Sequence, residues 1–388
     1  MYAITGGTIF TMEDEEPGHF RTIRNGTVLV EAEKIRAVLD YEEVPPGFRQ
    51  INAKDHIVMP GIIEAHCHMG ISEEKKGMEG DDCNENVAPV TPFLRAIDAI
   101  NPMDAAFHDA IGVGITGAMI GPGSSNVVGG QFAFLHTSGR SVDEMTVLAP
   151  AAMKVAFGEN PKVNFSGQGS SPVTRMSIAA MLRKELSEVR EAFEEKGAES
   201  LSFEKECWRK VFAKEIPLKA HVHRADDIQT AIRIAREFDL RMTLDHCSEG
   251  HLISDAIFKS GFPAIVGPDL ASRNKIEVKN MAFKTAGILA KKGVMVAITT
   301  DHPVSLIASL PLCAGLAVKH GMPMESRLKA ITCHAAKICG VDQWTGSLIP
   351  GKWADLVIYK GHPFELFSKA ALTMIKGKIV YRDAEFFL

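Results

Sequence analysis

The sequence has few of the features that mark secreted, membrane-bound or nucleic-acid-binding proteins. Its seven cysteines are scattered and form no Cys-x-x-Cys pair, which predicts reduced thiols and a cytoplasmic protein rather than a disulfide scaffold. No apolar run approaches the roughly 20 residues of a membrane-spanning helix, and the first residues lack the segments of a signal peptide. The net charge of −5 does not indicate a positively charged surface of the kind that binds nucleic acids. We therefore expect neither a membrane nor a nucleic acid as partner.

The remaining composition is that of an ordinary globular protein. Apolar residues make up 46% and charged residues 23% of the chain, which excludes wholesale disorder and a coiled-coil or collagen-like rod. A length of 388 residues fits two to three domains, or one large α/β barrel with an attachment.

The pattern along the chain changes twice. Residues 1–59 are rich in strand patterns, including a hairpin signal at Asn25-Gly26. From about residue 60, short apolar runs alternate with amphipathic helices, which is typical of parallel βα units. Strand patterns return in residues 345–388. We predict an α/β fold: a (β/α)8 TIM barrel over residues 60–344, and a small β-sandwich domain built from residues 1–59 and 345–388.

The strongest local signal for chemistry is a His-x-His pair. An apolar strand ends in His66-Cys67-His68, and the period of two in a strand places both imidazoles on the same side. Two converging imidazoles suit a divalent metal. The pair alone is weak support, because histidines also pair in cores and on surfaces.

Three later strand patterns end in residues of the same kind. They are His221, His246 and Asp301. Their separations correspond to one and two βα units, so these side chains are predicted to stand at the same height in the barrel. Catalytic residues of such barrels collect at the strand ends, and five isolated core residues would not share this spacing.

These motifs resemble the amidohydrolase superfamily, and within it the branch of imidazolonepropionase-related metal hydrolases and their carboxypeptidase-like relatives. The resemblance covers essentially the whole chain. It includes residues 60–68 (PGIIEAHCH), the strand-end histidines, Thr300-Asp301, and residues 346–356 (GSLIPGKWADL). Together these motifs are specific for the superfamily but not for a substrate.

The resemblance implies a role for each strand-end residue. His66, His68 and Asp301 would bind a first metal, most simply zinc. Asp301 would also move the proton from metal-activated water to the leaving nitrogen. In two-metal members His221 and His246 would bind a second metal. In one-metal members His221 stays a ligand and His246 orients the water or the substrate.

A ligand that bridges both metal ions distinguishes the two-metal members of the superfamily from the one-metal members. Two-metal relatives carry a carboxylated lysine at the end of the fourth strand, and Lys154 matches that position. The alternative readings are an ordinary ion-paired lysine, or Glu159 as the bridging ligand. If Lys154 is a ligand, the chain differs from imidazolonepropionase itself, which resembles a one-metal type.

Four residues are candidates for contact with the substrate. His223 shares the face of His221 and either binds a substrate oxygen or supports a neighbouring ligand. Arg175 offers a bidentate fork for a carboxylate, Asn84 lies in the long loop after the first barrel strand, and Gln131 ends a glycine-rich stretch. A plain surface role is the alternative for Arg175 and Asn84.

The resulting hypothesis is a metal-dependent amidohydrolase. Its substrate would be a small molecule, either a cyclic amide or a peptide-like or N-acyl amide. A deaminase of a heterocyclic amine is the first alternative, although Asp226 and Asp227 follow His221 at a longer spacing than the glutamate of such deaminases. A non-catalytic barrel that serves as an assembly protein is the second. The resemblance also implies a homo-oligomer, since barrels of this family commonly form dimers or larger assemblies.

Overall fold

Two eight-stranded sheets organise the computed structural model, which describes residues 1–16, 19–74, 77–196, 201–365 and 367–386. Five strands come first: β1 (Tyr2–Glu16), β2 (His19–Glu31), β3 (Lys34–Leu39), β4 (Arg49–Asn52) and β5 (His56–Pro60). The central strands are β6 (Ile62–Cys67), β7 (Ile115–Ile120), β8 (Val128–His136), β9 (Thr146–Ala156), β10 (Leu218–Val222), β11 (Met242–His246), β12 (Ala264–Val266) and β13 (Val296–Ile298). The last are β14 (Leu356–Lys360), β15 (Lys369–Ile375) and β16 (Lys378–Arg382).

Helices connect and cover the central strands. They are α1 (Ala105–Gly112), α2 (Val142–Met145), α3 (Glu159–Gly167), α4 (Arg175–Lys196), α5 (Phe203–Glu206), α6 (Arg209–Phe212), α7 (Ala225–Glu237), α8 (Ser254–Ser260), α9 (Lys284–Lys292), α10 (Leu310–Lys319), α11 (Met324–Ala330) and α12 (Cys333–Ile338). Short 3-10 helices include Ala96–Asp98, Gly250–Leu252, Ile276–Val278 and Ile307–Ser309. Among the described residues, no helix combines the length and the apolar character needed to cross a membrane.

Both ends of the chain contribute to one sheet. Its strands run in the order β16-β15-β14-β5-β1-β2-β3, and β4 pairs with β1. β5 lies between β1 and β14, so the N-terminal and C-terminal strands are hydrogen-bonded to each other. An apolar cluster that includes Ile4, Val28, Ile51 and Leu356 packs on this sheet. The pairing of the two ends agrees with the sequence analysis, whereas the sandwich and the domain boundaries (1–59 with 345–388, and 60–344) stay predictions.

The central strands form a nearly closed barrel, as expected for a TIM-type α/β fold. The order is β13-β12-β11-β10-β9-β8-β7-β6. Where β6 meets the region after β13, the backbone N–H of His68 donates to the carbonyl of His302 at 2.8 Å. The hydroxyl of Thr299 donates to the carbonyl of His66 at 2.6 Å. These contacts join the first and last strands.

The strict strand–helix alternation predicted for the barrel is wrong at one strand. β8 runs antiparallel to both β7 and β9, while β6–β7 and β9 through β13 pair in parallel. Only seven residues separate β7 from β8. A parallel crossover needs a dozen or more residues, so this short connection can only return the chain in the opposite direction.

The register of the parallel strands sets the height of the site residues. Lys154 on β9 pairs with Lys219 on β10, and His221 on β10 pairs with Asp245 on β11. The strands β6, β10 and β11 are buried along their whole length. Their apolar residues therefore fix the backbone, and the polar residues near their carboxyl ends are held at one end of the barrel.

Candidate active site

His66 and His68 stand at the carboxyl end of β6, beside the closing edge of the barrel. Nδ1 of His66 lies 2.8 Å from the carboxylate of Asp245. Nδ1 of His68 lies 2.7 Å from the carbonyl oxygen of Gly121, which can only accept a hydrogen bond. An imidazole that donates from Nδ1 keeps the lone pair of Nε2 for a cation. His68 is therefore oriented as metal ligands usually are, whereas Nδ1 of His66 lies close to the Asp245 carboxylate without the geometry of a hydrogen bond.

The carboxylate of Asp301 faces these two imidazoles from the turn after β13. Its Oδ1 lies 3.2 Å from Nε2 of His68 and 3.6 Å from Nε2 of His66. This oxygen is buried, and the described residues offer it no hydrogen bond of good geometry. Burial raises the pKa of Asp301, but the imidazoles of His246 and His68 more than offset this, so the pKa lies below its usual value. An ionised, unsatisfied oxygen opposite two imidazole nitrogens fits a divalent cation.

His246 lies between this group and a second group of histidines on β10. Its ring centre is 5.1 Å from that of His66 and 4.6 Å from that of His221. Two sets of potential ligands have all their donor atoms within 4.8 Å of one another: His66 with His246 and Asp301, and His221 with His223 and His246. The site therefore offers two adjacent candidate metal positions that share His246.

The effect of burial on His68 is outweighed by Cys83 and Asp301, which raise its pKa to about 10, but burial keeps three other imidazoles uncharged. It lowers the pKa of His66, His221 and His246 well below the usual value, and the buried lysines and other imidazoles nearby lower it further for His66 and His221. A neutral imidazole is the form that binds a metal ion. Burial therefore prepares the ligands, whereas a protonated cluster of this kind would repel a cation.

Backbone strain coincides with two of the site residues. His246 has φ of 75° and Asp301 has φ of 52°, in the left-handed region that residues with a side chain rarely enter. Such a conformation costs about 1–2 kcal/mol per residue, and it persists where the surrounding structure over-determines it, often at functional sites. The turns after β11 and β13 thus direct these two side chains inward.

The second histidine group has its own acidic partner. Nδ1 of His223 lies 2.8 Å from Oγ of Ser248. Oε1 of the buried Glu277 lies 3.8 Å from Nε2 of both His221 and His223, and 3.0 Å from Nζ of Lys275. His223, predicted as a substrate contact, thus both lines the cavity and belongs to one of the two groups that could hold a metal.

Two buried lysines stand below the histidines. Lys154 and Lys219 are almost fully buried, and their Nζ atoms lie 5.4 Å and 5.3 Å from the ring centre of Phe132. Nζ of Lys219 is 3.2 Å from the carboxylate of Asp245. Nζ of Lys154 is 3.2 Å from Nε2 of His66 and has no carboxylate within ion-pair distance in the described chain. Burial lowers the pKa of Lys154 to about 8.

A cavity of about 560 Å³ opens above the metal-ligand candidates. Its floor includes His68, His221, His223 and Asp301, and its walls include Asn84 and Lys275. The side-chain oxygen of Asn84 accepts a hydrogen bond from the backbone N–H of Ser125 at 2.9 Å. This cavity can hold a small molecule with its reacting group beside Asp301.

The structure places two of the predicted substrate contacts elsewhere. Nε of Arg175 donates to the carboxylate of Asp227 at 3.0 Å, at the start of α4. Gln131 lies in β8 and donates from Nε2 to the carbonyl of Pro92 at 3.0 Å. Neither lines the 560 Å³ cavity. Arg175 pairs with a carboxylate of its own chain. Gln131 stays near the carboxyl end of the barrel, since it pairs with Met153 beside Lys154, but its side chain is directed to Pro92 rather than to the cavity.

Glu159, the alternative bridging ligand, is directed toward the second histidine group. Its carboxylate accepts a hydrogen bond from the backbone N–H of Glu277 at 3.4 Å, and its own N–H donates to the Glu277 carboxylate at 2.8 Å. It therefore anchors the loop of Glu277, and it makes no contact with Lys154 or His66 in the described chain.

Sequence reasoning missed several polar residues that support the ligands. They are Glu64, Lys219, Asp245 and Glu277. Lys219 precedes His221 by two residues on a strand, so the period of two could have placed it on the same face, one layer deeper. Asp245 also stands directly before a ligand candidate. Glu277 lies in a 3-10 helix within a loop, where no periodicity reveals its direction.

Comparison with known proteins identifies the family of this chain. Residues 57–380 match the Amidohydrolase family. The amidohydrolase tasK of Hapsidospora irregularis is 26% identical over 402 residues, which cover 92% of this chain but only 40% of that protein. An imidazolonepropionase of Klebsiella pneumoniae is 24% identical over 410 residues, covering 98% of this chain and 97% of the relative.

One solved structure is similar throughout. The crystal structure of an amidohydrolase from Thermotoga maritima superimposes with a TM-score of 0.93 at 36% identity, covering 99% of this chain and all of the other. The chain therefore belongs to the amidohydrolase family, and the predicted superfamily and imidazolonepropionase-related branch are confirmed. Its class is that of hydrolases acting on carbon–nitrogen bonds.

Proposed function

We propose that the protein hydrolyses the carbon–nitrogen bond of a small amide, cyclic or peptide-like, with a divalent metal, most simply zinc. The observation that carries the proposal is the position of Asp301. Its unsatisfied oxygen lies within 3.6 Å of two imidazole nitrogens and at the floor of a cavity large enough for such a substrate.

Asp301 has the geometry of a proton carrier for this reaction. His66, His68 and Asp301 would hold the cation, which would supply an activated water and a polarised carbonyl. The Asp301 carboxylate accepts a proton from the attacking water and delivers it to the nitrogen that leaves, because one position borders both groups. Water adds to the carbonyl carbon, the carbon–nitrogen bond breaks, and the amine departs with the proton.

The residues around Asp301 orient the substrate. His223, held by Ser248, can direct Nε2 toward the carbonyl oxygen of the amide. Asn84 is fixed through its side-chain oxygen, which leaves its NH2 group to donate toward the cavity. His246 lies between the two groups of potential metal ligands and can contribute a ligand atom to either one.

The number of metal ions in the site depends on whether Lys154 is carboxylated. A buried amine of lowered pKa is partly deprotonated near neutral pH, so Nζ can bond to the carbon of carbon dioxide and release a proton. The resulting carbamate is an anion able to bridge two cations. No described carboxylate lies within ion-pair distance of Nζ of Lys154, and Glu159 is directed elsewhere; both observations support Lys154 as the bridge.

Metal content and intact mass test this part of the proposal. Protein purified without chelator should hold close to two metals per chain and show a mass excess of one carbon dioxide under gentle conditions. The Lys154→Met variant should lose the mass excess. One metal without added mass would leave Lys154 as a structural residue and favour a one-metal reaction.

The Asp301→Asn variant tests the reaction itself. We expect its fold to remain, and turnover of a responsive dipeptide, N-acyl amino acid or cyclic amide to fall by about 10²–10⁴. Full activity would contradict the role of Asp301. A metal-free protein that binds no added metal would instead favour the non-catalytic alternative.

The structure gives the deaminase alternative little support. Asp226 pairs with Arg224 and Asp227 pairs with Arg175, so neither carboxylate after His221 lines the cavity. Ammonia release from a panel of purines, pyrimidines and guanidines would nevertheless show that the leaving group is an amino substituent rather than an amide nitrogen.

A further inference from the structure

A second cavity of about 620 Å³ lies beside the first, against the loop that follows β12. We call it the side cavity, and it is lined by residues 269–273 and 281–283. Ala271, Ser272 and Met281 line both cavities. The side cavity therefore adjoins the proposed reaction site, and a single ligand can extend from one cavity into the other.

The side cavity contains an unpaired carboxylate. Asp269 has no ion pair or side-chain hydrogen bond to any other described residue, and burial raises its pKa to about 6. Arg273, the only basic residue among the lining residues, makes no ion pair with Asp269 and is held by a backbone carbonyl instead. Its Nε and Nη2 both donate to the carbonyl of Met281, at 3.1 Å and 2.9 Å.

The remaining lining is mainly apolar. Leu270, Ala271, Met281, Ala282 and Phe283 surround the space next to Asp269. A wall of this kind packs against an alkyl chain, and one carboxylate at its end complements one positive charge. Lysine and arginine side chains have this same division into an apolar stem and a charged tip.

We propose that the side cavity binds a primary ammonium or guanidinium group at the end of an alkyl chain of the substrate. The proposal rests on the proposed function and narrows it to amides that carry a lysine-like or arginine-like group. The cation would pair with Asp269 while its stem packs on Met281 and Phe283. A neutral chain of equal length would leave the carboxylate partly desolvated and unpaired, which is unfavourable.

Binding of matched probes tests this inference. The probes are Nα-acetyl-lysine N-methylamide, the norleucine analogue, which lacks the charge, and the glutamate analogue, which reverses it. Calorimetry on zinc-loaded full-length Asp301→Asn protein avoids turnover. We expect the lysine probe to bind about tenfold or more tightly than the norleucine probe, and the glutamate probe to bind weakest.

An added Asp269→Asn substitution should abolish the preference for the lysine probe while leaving the affinity for the norleucine probe within about twofold. Asp109→Asn makes the same chemical change on the exposed surface of α1 and should preserve the preference. Equal binding of the lysine and norleucine probes would overturn the proposal. Tighter binding of the glutamate probe would also overturn it, because Arg273 would then govern the side cavity.

Turnover separates this inference from the function on which it rests. Hydrolysis of amides by the unsubstituted protein, with no preference for a cationic chain, would refute the side-cavity proposal and leave the proposed function standing. Selective, Asp269-dependent binding of the lysine probe without turnover of any panel member would refute the proposed reaction and leave the side cavity as a cation-binding site.

Discussion

The two His-x-His pairs of the barrel, on β6 and β10, present one motif in two different surroundings. His66 contacts the buried carboxylate of Asp245 through Nδ1 and approaches Asp301 through Nε2. His221 and His223 face a single carboxylate, Glu277, at a longer distance of 3.8 Å. The first pair is held tightly from two sides, whereas the second is held through a loop.

This difference teaches that the motif alone does not define a metal position. Asp245 stands on a central barrel strand, so its contact with His66 is fixed by strand register. Glu277 stands in a loop tied down by Glu159 and Lys275. We infer that the first pair forms the tighter site and that the second pair forms a weaker or optional one.

Substitution of one histidine from each pair gives the largest expected contrast. His66→Asn should lower kcat/KM by about 10³–10⁴, because the cation contributes several kcal/mol to the transition state. His221→Asn should lower it by about 10–100 and leave one metal bound. Activity and metal per chain measure both. Equal losses in the two variants would remove the distinction between the pairs.

The two buried lysines also differ in their surroundings, and their removal should affect stability to different extents. In metal-free protein, Lys219→Met should lower the free energy of unfolding by about 3 kcal/mol, because Asp245 loses its cation. Lys154→Met should change it by less than about 1 kcal/mol, since it removes an amine without an acidic partner. Urea unfolding compares them, and a larger loss for Lys154→Met would show an unrecognised partner.

The two supporting carboxylates can be compared directly. Asp245→Asn should weaken the tighter metal by about 10–100-fold, and Glu277→Gln should weaken only the second metal by about tenfold. Competition with a chelator of known affinity measures both. If Glu277→Gln releases the tighter metal instead, the assignment of the two positions must be exchanged.

The smallest expected effect concerns Asp269, which lies outside both pairs. Its pKa is raised above the model-peptide value of 3.8 to about 6, so the folded protein holds this proton more tightly than the unfolded chain. The stabilisation is full below about pH 4 and disappears as pH rises through about 6. Relative to Asp269→Asn, the unsubstituted protein should lose about 1–2 kcal/mol between pH 4.5 and 7. Urea unfolding at the two pH values checks this, and parallel curves would show an unshifted group.

The sequence allowed a good part of the site to be predicted. The period of two in strands placed His66 beside His68, and His221 beside His223, and the spacing of strand ends placed Asp301 with them. Glu277 could not be found in this way, because a loop has no periodicity. The side chains of Arg175 and Gln131 lie outside the cavity, which the sequence could not show, since the partner of a polar side chain depends on tertiary contacts. Their contact with a substrate stays a prediction.

The sequence also predicted the main features of the fold. Alternating strand and helix patterns indicated the barrel, and the strand-rich ends indicated their common sheet. The antiparallel direction of β8 depends on the length of the connection before it, and that length is known only when both strand boundaries are known. Strand ends are the least certain part of any reading from sequence.

The position of β5 in the terminal sheet has a consequence during synthesis. Residues 56–60 of β5 pair with residues 356–360 of β14, about 300 positions later in the chain. At translation rates of about 5–20 residues per second, one edge of β5 stays unpaired for about 15–60 s. A nascent chain would therefore carry an open strand edge while its barrel forms, and this edge is where chaperones or aggregation would act first.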